Sequence, residues 1–147
     1  MILYLMRHGK AEAVAERDED RALVKEGVFQ AEDTAEAFLR REWPLPQKII
    51  VSEYRRAVET AEVVAQKLGV HDVKVVDYKD ATRWRNMKTY ITDEPILFIG
   101  HQPSLGMVIE EITGESVSVK KASLHRIEYD PDRDRGEYID KIERVRK

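Results

Sequence analysis

The 147-residue chain contains no cysteine. Disulfides, a thiolate nucleophile and cysteine-based zinc or iron–sulfur sites are therefore excluded. No stretch approaches the roughly 20 apolar residues of a membrane span. The apolar start, Met1–Met6, meets Arg7 after six residues. A secretory signal needs roughly 7–15 apolar residues with basic residues before them, so the reading is of a soluble, cytoplasmic protein. A basic excess is lacking as well: 25 Lys and Arg stand against 28 Asp and Glu, a net charge of −3. That argues against a general nucleic-acid binder, which carries a basic stripe. Asparagine occurs once and glutamine four times, while charged residues reach 36%. Such a balance is of the kind found in heat-adapted proteins. No repeat or low-complexity linker divides the chain, and its length fits one domain over residues 1–147.

Short apolar runs alternate with segments of helical period, the pattern of an α/β fold. The expected architecture is three-layer αβα, with a mostly parallel central sheet and helices on both faces. Ile2–Met6 is apolar on both faces and too short for a helix, so it reads as a buried strand. A charged surface loop, Lys10–Asp20, follows. Val24, Val28, Ala31, Ala35, Phe38 and Leu39 then recur at spacings of three and four. They predict an amphipathic helix with Glu26, Gln30, Asp33 and Glu36 on its outer side. Lys48–Val51 is a second strand. Tyr54–Leu68 is a second helix, with Gly69 at its C′ position. Val73–Val76 and Ile96–Ile99 are further strands, with short helical turns around Trp84, Met87 and Ile91 between them. Leu105–Ile112 is a helix stopped by Gly114. Ala122–Tyr129 reads as a strand, and Asp130-Pro131-Asp132 with Gly136 as a turn. Tyr138–Val145 is open between strand and helix, with a strand paired to Ala122–Tyr129 preferred.

Ligands of open α/β sheets sit beyond the carboxyl ends of the strands. Three of those ends carry Arg7-His8-Gly9, then Ser52 with Arg55 and Arg56, then Gly100-His101-Gln102-Pro103. Taken singly, each has an ordinary structural explanation: a turn glycine, a first-turn proline, a solvated arginine. Gathered on one rim, they suggest phosphoryl transfer. Two guanidinium forks hold a tetrahedral dianion through paired charged hydrogen bonds. A neutral imidazole attacks phosphorus, and a second one, if protonated, stabilises charge on the equatorial oxygens.

Leu5-Met6-Arg7-His8-Gly9 resembles the signature of the histidine phosphatase superfamily, the phosphoglycerate-mutase-like fold. Arg21-Ala22-Leu23 with Gly27 and Gln30-Ala31, with Val24 where Thr is usual, then Ser52 with Arg56-Ala57 and Thr60, then Gly100-His101-Gln102-Pro103 follow in that family's order. The short length and the Gly-His-x-Pro form resemble its SixA-type phosphohistidine phosphatases. The resemblance implies that His8 takes the phosphoryl group covalently, that Arg7 and Arg56 clamp the phosphate, and that His101 completes the pocket. Gly9, Arg21 and Ser52 are candidate substrate contacts. Arg21 either reaches the phosphate or ties the charged loop to its acidic neighbours.

The chain departs from the family at Ser52-Glu53, where Ser-Pro is common. Larger members also place a general-acid Glu after the third strand. Here that stretch reads Val76-Asp77-Tyr78-Lys79-Asp80, without Glu. Asp18 and Asp80 are the substitute candidates. A site without a clear acid suits N–P cleavage, because neutral imidazole is a good leaving group. About 20 residues separate the third and fourth strands, too few for a large lid. The expected partner is therefore a phosphorylated protein of the histidine-phosphotransfer type. A small phosphomonoester or nucleotide-type substrate, a mutase, and a non-catalytic phospho-ligand binder are the alternatives. No cofactor, metal, nucleic acid or membrane is expected. No histidine has a helical i, i+4 histidine partner, and the Arg/His cage supplies the charge that Mg²⁺ otherwise brings.

Overall fold

In the computed structural model, which describes residues 1–143, six strands form one sheet. They are β1 (Ile2–Arg7), β2 (Lys48–Ser52), β3 (Val73–Val76), β4 (Ile96–Gly100), β5 (Leu124–Asp130) and β6 (Arg135–Ile142). Their order across the sheet is β3-β2-β4-β1-β5-β6. The first four are parallel, and β5 and β6 add antiparallel strands at one side.

The alternation of side chains along β1 explains its apolar run. Tyr4 and Met6 point to one face, where α1 (Lys25–Arg40) and α2 (Arg55–Leu68) pack; Leu3 and Leu5 point to the other. That second face is covered by α3 (Tyr78–Thr82), α4 (Trp84–Met87) and α5 (Ser104–Thr113). Each layer is held by apolar burial: Ala31, Ala35, Phe38, Ala61 and Val64 on one side, Trp84, Met87, Leu105 and Ile109 on the other. Gly69 and Gly114 end α2 and α5 in the left-handed conformation, with φ of 72° and 77°.

The last segment is the strand preferred from sequence. It begins earlier, at Arg135, pairs antiparallel with β5, and ends at Ile142; Val145 lies outside the described residues. Gly136 is not a turn residue. It lies inside β6, where an added Cβ would come within 2.7 Å of the Ile127 side chain and 2.9 Å of that of Ile112. The turn is instead organised by Asp134 at φ 50°, whose carboxylate accepts from Tyr129, Trp84 and Lys88.

The buried face of α1 also differs from its apolar periodicity. Leu39 is 43% exposed, whereas Gln30 is buried. The helix is rotated so that Gly27, Gln30 and Thr34 face inward, and the polar ones are satisfied there. Gln30 Oε1 accepts from the Lys10 amide at 2.9 Å, and Thr34 donates to the Ala122 carbonyl at 2.7 Å. A buried polar group costs little once it is hydrogen-bonded.

Two features of this architecture build a rim. Arg7 pairs with Gly100, and Val51 with Ile99, so β1, β4 and β2 end at one level. The chain leaves β1 toward α1 on one face and leaves β4 toward α5 on the other, which opens a crevice between adjacent parallel strands. The segment after β1 is pressed onto the start of α1. A Cβ on Gly9 would lie 2.5 Å from the Gly27 carbonyl oxygen, and one on Gly27 would lie 2.1 Å from that of Lys10. Backbone meets backbone there, so no side chain can yield. We expect Gly27→Ala to lower unfolding free energy by roughly 1–3 kcal/mol, the scale of overpacking in a dense interior. Urea denaturation measures it, and an unchanged midpoint would contradict the contact.

Candidate active site

His8 follows β1, and its ring is buried. Its Nδ1 lies 2.7 Å from the Gly9 carbonyl oxygen. A carbonyl only accepts, so Nδ1 carries the ring proton. The other nitrogen, Nε2, accepts from Arg56 Nε–H at 3.3 Å. The fold thereby selects the tautomer whose Nε2 lone pair is the reactive one. Burial, the largest cause, pulls the ring pKa down to about 4; Arg56, Arg7 and Arg21 act in the same direction against the Gly9 hydrogen bond. At neutral pH the His8 ring is therefore uncharged, with a lone pair on Nε2.

Thr60 of α2 fastens this arrangement. It is fully buried, accepts from the Gly9 amide at 3.1 Å and donates to the Arg56 carbonyl at 2.8 Å. One hydroxyl thus links the segment that carries His8 to the helix that presents Arg56. The sequence match contained Thr60 but did not reveal this role. Gly9 likewise gives its amide to Thr60 and its carbonyl to His8, so it acts on the site by holding the ring.

His101 follows β4, with its ring centroid 5.4 Å from that of His8. Its Nε2 is 2.8 Å from Ser52 Oγ, which also accepts from the Tyr54 amide at 3.2 Å. Ser52 is fully buried at the end of β2, and it orients His101. Burial, followed by the neighbouring His8 and Arg56, lowers the His101 pKa to about 3. Arg7 donates from Nη1 to the Val119 carbonyl at 3.0 Å. Among the described residues, three buried side-chain polar atoms have no hydrogen-bond partner, and two of them are Arg7 Nε and His101 Nδ1. Unpartnered buried polar atoms are rare, and these two come from the ends of adjacent strands.

Arg56 is engaged by the loop after β1. Its Nη1 donates to the Asp18 carbonyl at 2.9 Å, and its Nη2 meets the Asp18 carboxylate at 3.2 Å. Arg21 holds the other carboxylate oxygen of Asp18 at 3.0 Å and the Glu12 carbonyl through Nε. Of the two roles open to Arg21, tying the loop is the one the geometry supports. Arg21, then Arg56, keeps the Asp18 carboxyl below the ordinary carboxylate range. Asp18 is thus held ionised and placed to accept rather than to give a proton. Asp80 sits on α3 against the Tyr90 hydroxyl at 3.3 Å. Of the two carboxyls, Asp18 lacks the setting of a proton donor. Arg55 turns away to pair with Glu59 at 3.1 Å. His125 has no part in the rim; it is buried between Ser123 Oγ at 2.8 Å and the Tyr138 hydroxyl at 2.7 Å.

Two further residues join the site. Tyr54 and Tyr78 lie just past β2 and β3, with ring centroids 5.0 and 5.3 Å from that of His101. The strand-end rule that found the histidines reaches these positions too. Among the described residues, no group of three or more His, Asp or Glu side chains could hold a metal ion.

A family model described as histidine phosphatase superfamily (branch 1) matches residues 3–89. A protein named phosphohistidine phosphatase SixA homolog, from Haemophilus influenzae, is 27% identical over 159 aligned positions, covering 88% of this chain and 89% of that one. A structure of the protein histidine phosphatase SixA complexed with tungstate superposes with a TM-score of 0.82 at 21% identity, over 97% of this chain and 96% of that one. A mycobacterial glucosyl-3-phosphoglycerate phosphatase complexed with VO₃ gives a TM-score of 0.69 at 17% identity, over 94% and 96% of the two chains. At these identities the two structures establish the shared fold.

The buried histidines carry a consequence for stability. His8, His101 and His125 fold with pKa values near 4, 3 and 4, against about 6.5 unfolded. The unfolded chain therefore binds more protons below pH 6.5, and stability falls as pH falls through that window. Between pH 7 and pH 5 we expect up to about 2 kcal/mol of loss for each ring. Urea midpoints at the two pH values test this; equal or higher stability at pH 5 would contradict neutral buried rings.

Proposed function

The chain belongs to the histidine phosphatase superfamily, and from that premise we propose that it hydrolyses phosphohistidine on a partner protein through a covalent intermediate on His8. The observation that carries the reading is the fixed tautomer of His8, whose Nε2 lies against the Arg56 guanidinium.

His8 Nε2 attacks phosphorus and the bond to the substrate's ring nitrogen breaks. Arg7 and Arg56 hold the phosphoryl oxygens through charged hydrogen bonds. The cage supplies positive charge from its own guanidiniums, so no metal takes part. A bound dianion reverses the local balance around His101 and raises its pKa toward the protonated form, which stabilises the equatorial oxygens. Arg56 releases Asp18 as it takes up the phosphoryl group.

The phosphorylated His8 keeps its Nδ1 proton through the Gly9 carbonyl. It is therefore a phosphoimidazolium, whose ring departs as neutral imidazole when water attacks phosphorus. That second step releases inorganic phosphate and restores His8 with Nε2 free. Neither step needs a carboxylic acid to protonate a leaving alkoxide. Asp18, held ionised by its two arginines, is not placed to give a proton, and this supports a P–N substrate over a phosphomonoester.

Brief incubation with a ³²P-labelled phosphohistidine protein should leave acid-labile label on the enzyme, and His8→Ala should abolish both label and turnover. Specificity constants for that protein should exceed those for sugar and nucleotide monophosphates; the reverse order would favour a small-molecule phosphatase. Arg56→Ala should lower kcat/KM by about 10²–10³, the scale of one lost transition-state electrostatic contact. Chelators should leave turnover intact.

A further inference from the structure

The cage accounts for the phosphoryl group but not for the aromatic wall beside it. The rings of His8, His101 and Tyr78 follow one another outward, with successive centroid separations of 5.4 and 5.3 Å. Tyr54 backs Tyr78 at 4.7 Å, and the Arg56 guanidinium stands 5.0 Å from the Tyr54 ring centre. Tyr78 is 37% exposed. Among the described residues, neither phenol hydroxyl has a hydrogen-bond partner, so the fold places the rings there rather than the hydroxyls. Large exposed rings at the mouth of a polar site lose favourable burial unless something covers them.

The groove that these rings line has a volume of about 350 Å³ and also takes in Glu19, Asp20 and Glu53, with Arg17 and Arg55. Both arginines are already paired: Arg17 with Glu19 at 3.2 Å and Asp20 at 3.5 Å, Arg55 with Glu59 at 3.1 Å. Three carboxylates thus outnumber the two cations beside two aromatic rings, and one of those cations is shared with Glu59 outside the groove. An anionic sugar or nucleotide is poorly matched to such a wall. A flat cation is well matched, because ring faces attract positive charge.

We infer that Tyr78, supported by Tyr54, is the specificity wall that receives the substrate's own imidazole ring in its protonated form. This deepens the proposed reaction and rests on it. The protonated phosphoimidazole carries hydrogen on the nitrogen not bonded to phosphorus. When His8 Nε2 bonds to phosphorus, the P–N electron pair returns to the substrate ring, which leaves as neutral imidazole. The wall therefore binds the reactive ionic form and loses its cation–π attraction as the ring departs, which aids release. Tyr78 occupies the segment after β3, where no Glu stands. A ring that holds an already protonated leaving group takes over the selective part of what an acid would do.

Phosphoimidazole and phosphoramidate separate the two ideas, since both have a P–N bond and only the first has a ring. Tyr78→Leu should lower kcat/KM for phosphoimidazole about tenfold more than for phosphoramidate, the scale of a desolvated cation–π contact. Tyr78→Phe should preserve the wild-type ratio. Both substrates are read on one preparation, so partial unfolding scales both rates and cancels. With wild type, imidazolium should inhibit phosphoramidate hydrolysis competitively and more strongly than ammonium does. A ratio unchanged in Tyr78→Leu, or equal inhibition by the two cations, would overturn the wall while leaving the P–N phosphatase reading in place. Failure of wild type to hydrolyse either P–N compound, with phosphomonoesters turned over, would overturn that reading itself.

Discussion

A single hydrogen bond, from His8 Nδ1 to the carbonyl of the next residue, decides what this site can do. It fixes the proton on one ring nitrogen and leaves the other as a lone pair facing Arg56. The bond forms only if the Gly9 carbonyl is held still. That position is set by the Gly9 amide bond to Thr60 and by the contact with Gly27, where a methyl group on either glycine would strike backbone. The protonation state of His8 is therefore a packing property of the β1–α1 connection.

The electrostatics follow from the same crowding. Two guanidiniums and two imidazoles share one rim, and all four cannot be charged without a counter-ion. The arginines stay charged because their intrinsic pKa values are too high to yield. The histidines give way, and burial reinforces the repulsion. Asp18 offers Arg56 a carboxylate and a carbonyl from the loop after β1, and Arg21 keeps that carboxylate in place. Asp18 is about 60% exposed at its side chain while that of Arg56 is 9% exposed. The pair is thus a solvent-facing anion on a buried cation, an arrangement that a bound dianion can replace at small desolvation cost.

Much of this was legible in the residues. The short apolar strands, the glycines ending α2 and α5, and the Arg7-His8, Arg56 and His101 set all follow from local pattern and ordered motifs, and the structure places those four side chains on one rim. The misreadings have separate physical causes. Gln30 read as outward and Leu39 as inward because hydropathy does not record that a buried amide has found a backbone partner. Gly136 read as a turn, although it is glycine because Ile112 and Ile127 leave no room in β6. The Val119 carbonyl that holds Arg7 was invisible in principle, since every residue type carries the same carbonyl. Tyr54 and Tyr78 were within reach, since they too stand just past strand ends, but the strand-end reading followed only charged and hydrogen-bonding groups.

The missing general acid has an explanation in the proposed chemistry. An alkoxide leaving group demands a proton at the moment of departure, and a site for it must place an acid close to phosphorus. A protonated imidazole brings its proton on the far side of the ring, away from the bond that breaks. Substrate histidine and His8 are then chemically alike, and transfer between them is close to thermoneutral. Little driving force is lost in the first step, and the same cage serves the second. What distinguishes the two rings is only their surroundings: one is held by a backbone carbonyl inside the fold, the other by aromatic faces at its edge. Net charge of −3 over the chain is compatible with this division, because the rim's guanidiniums are concentrated at the strand ends while carboxylates line the groove beside Tyr54 and Tyr78.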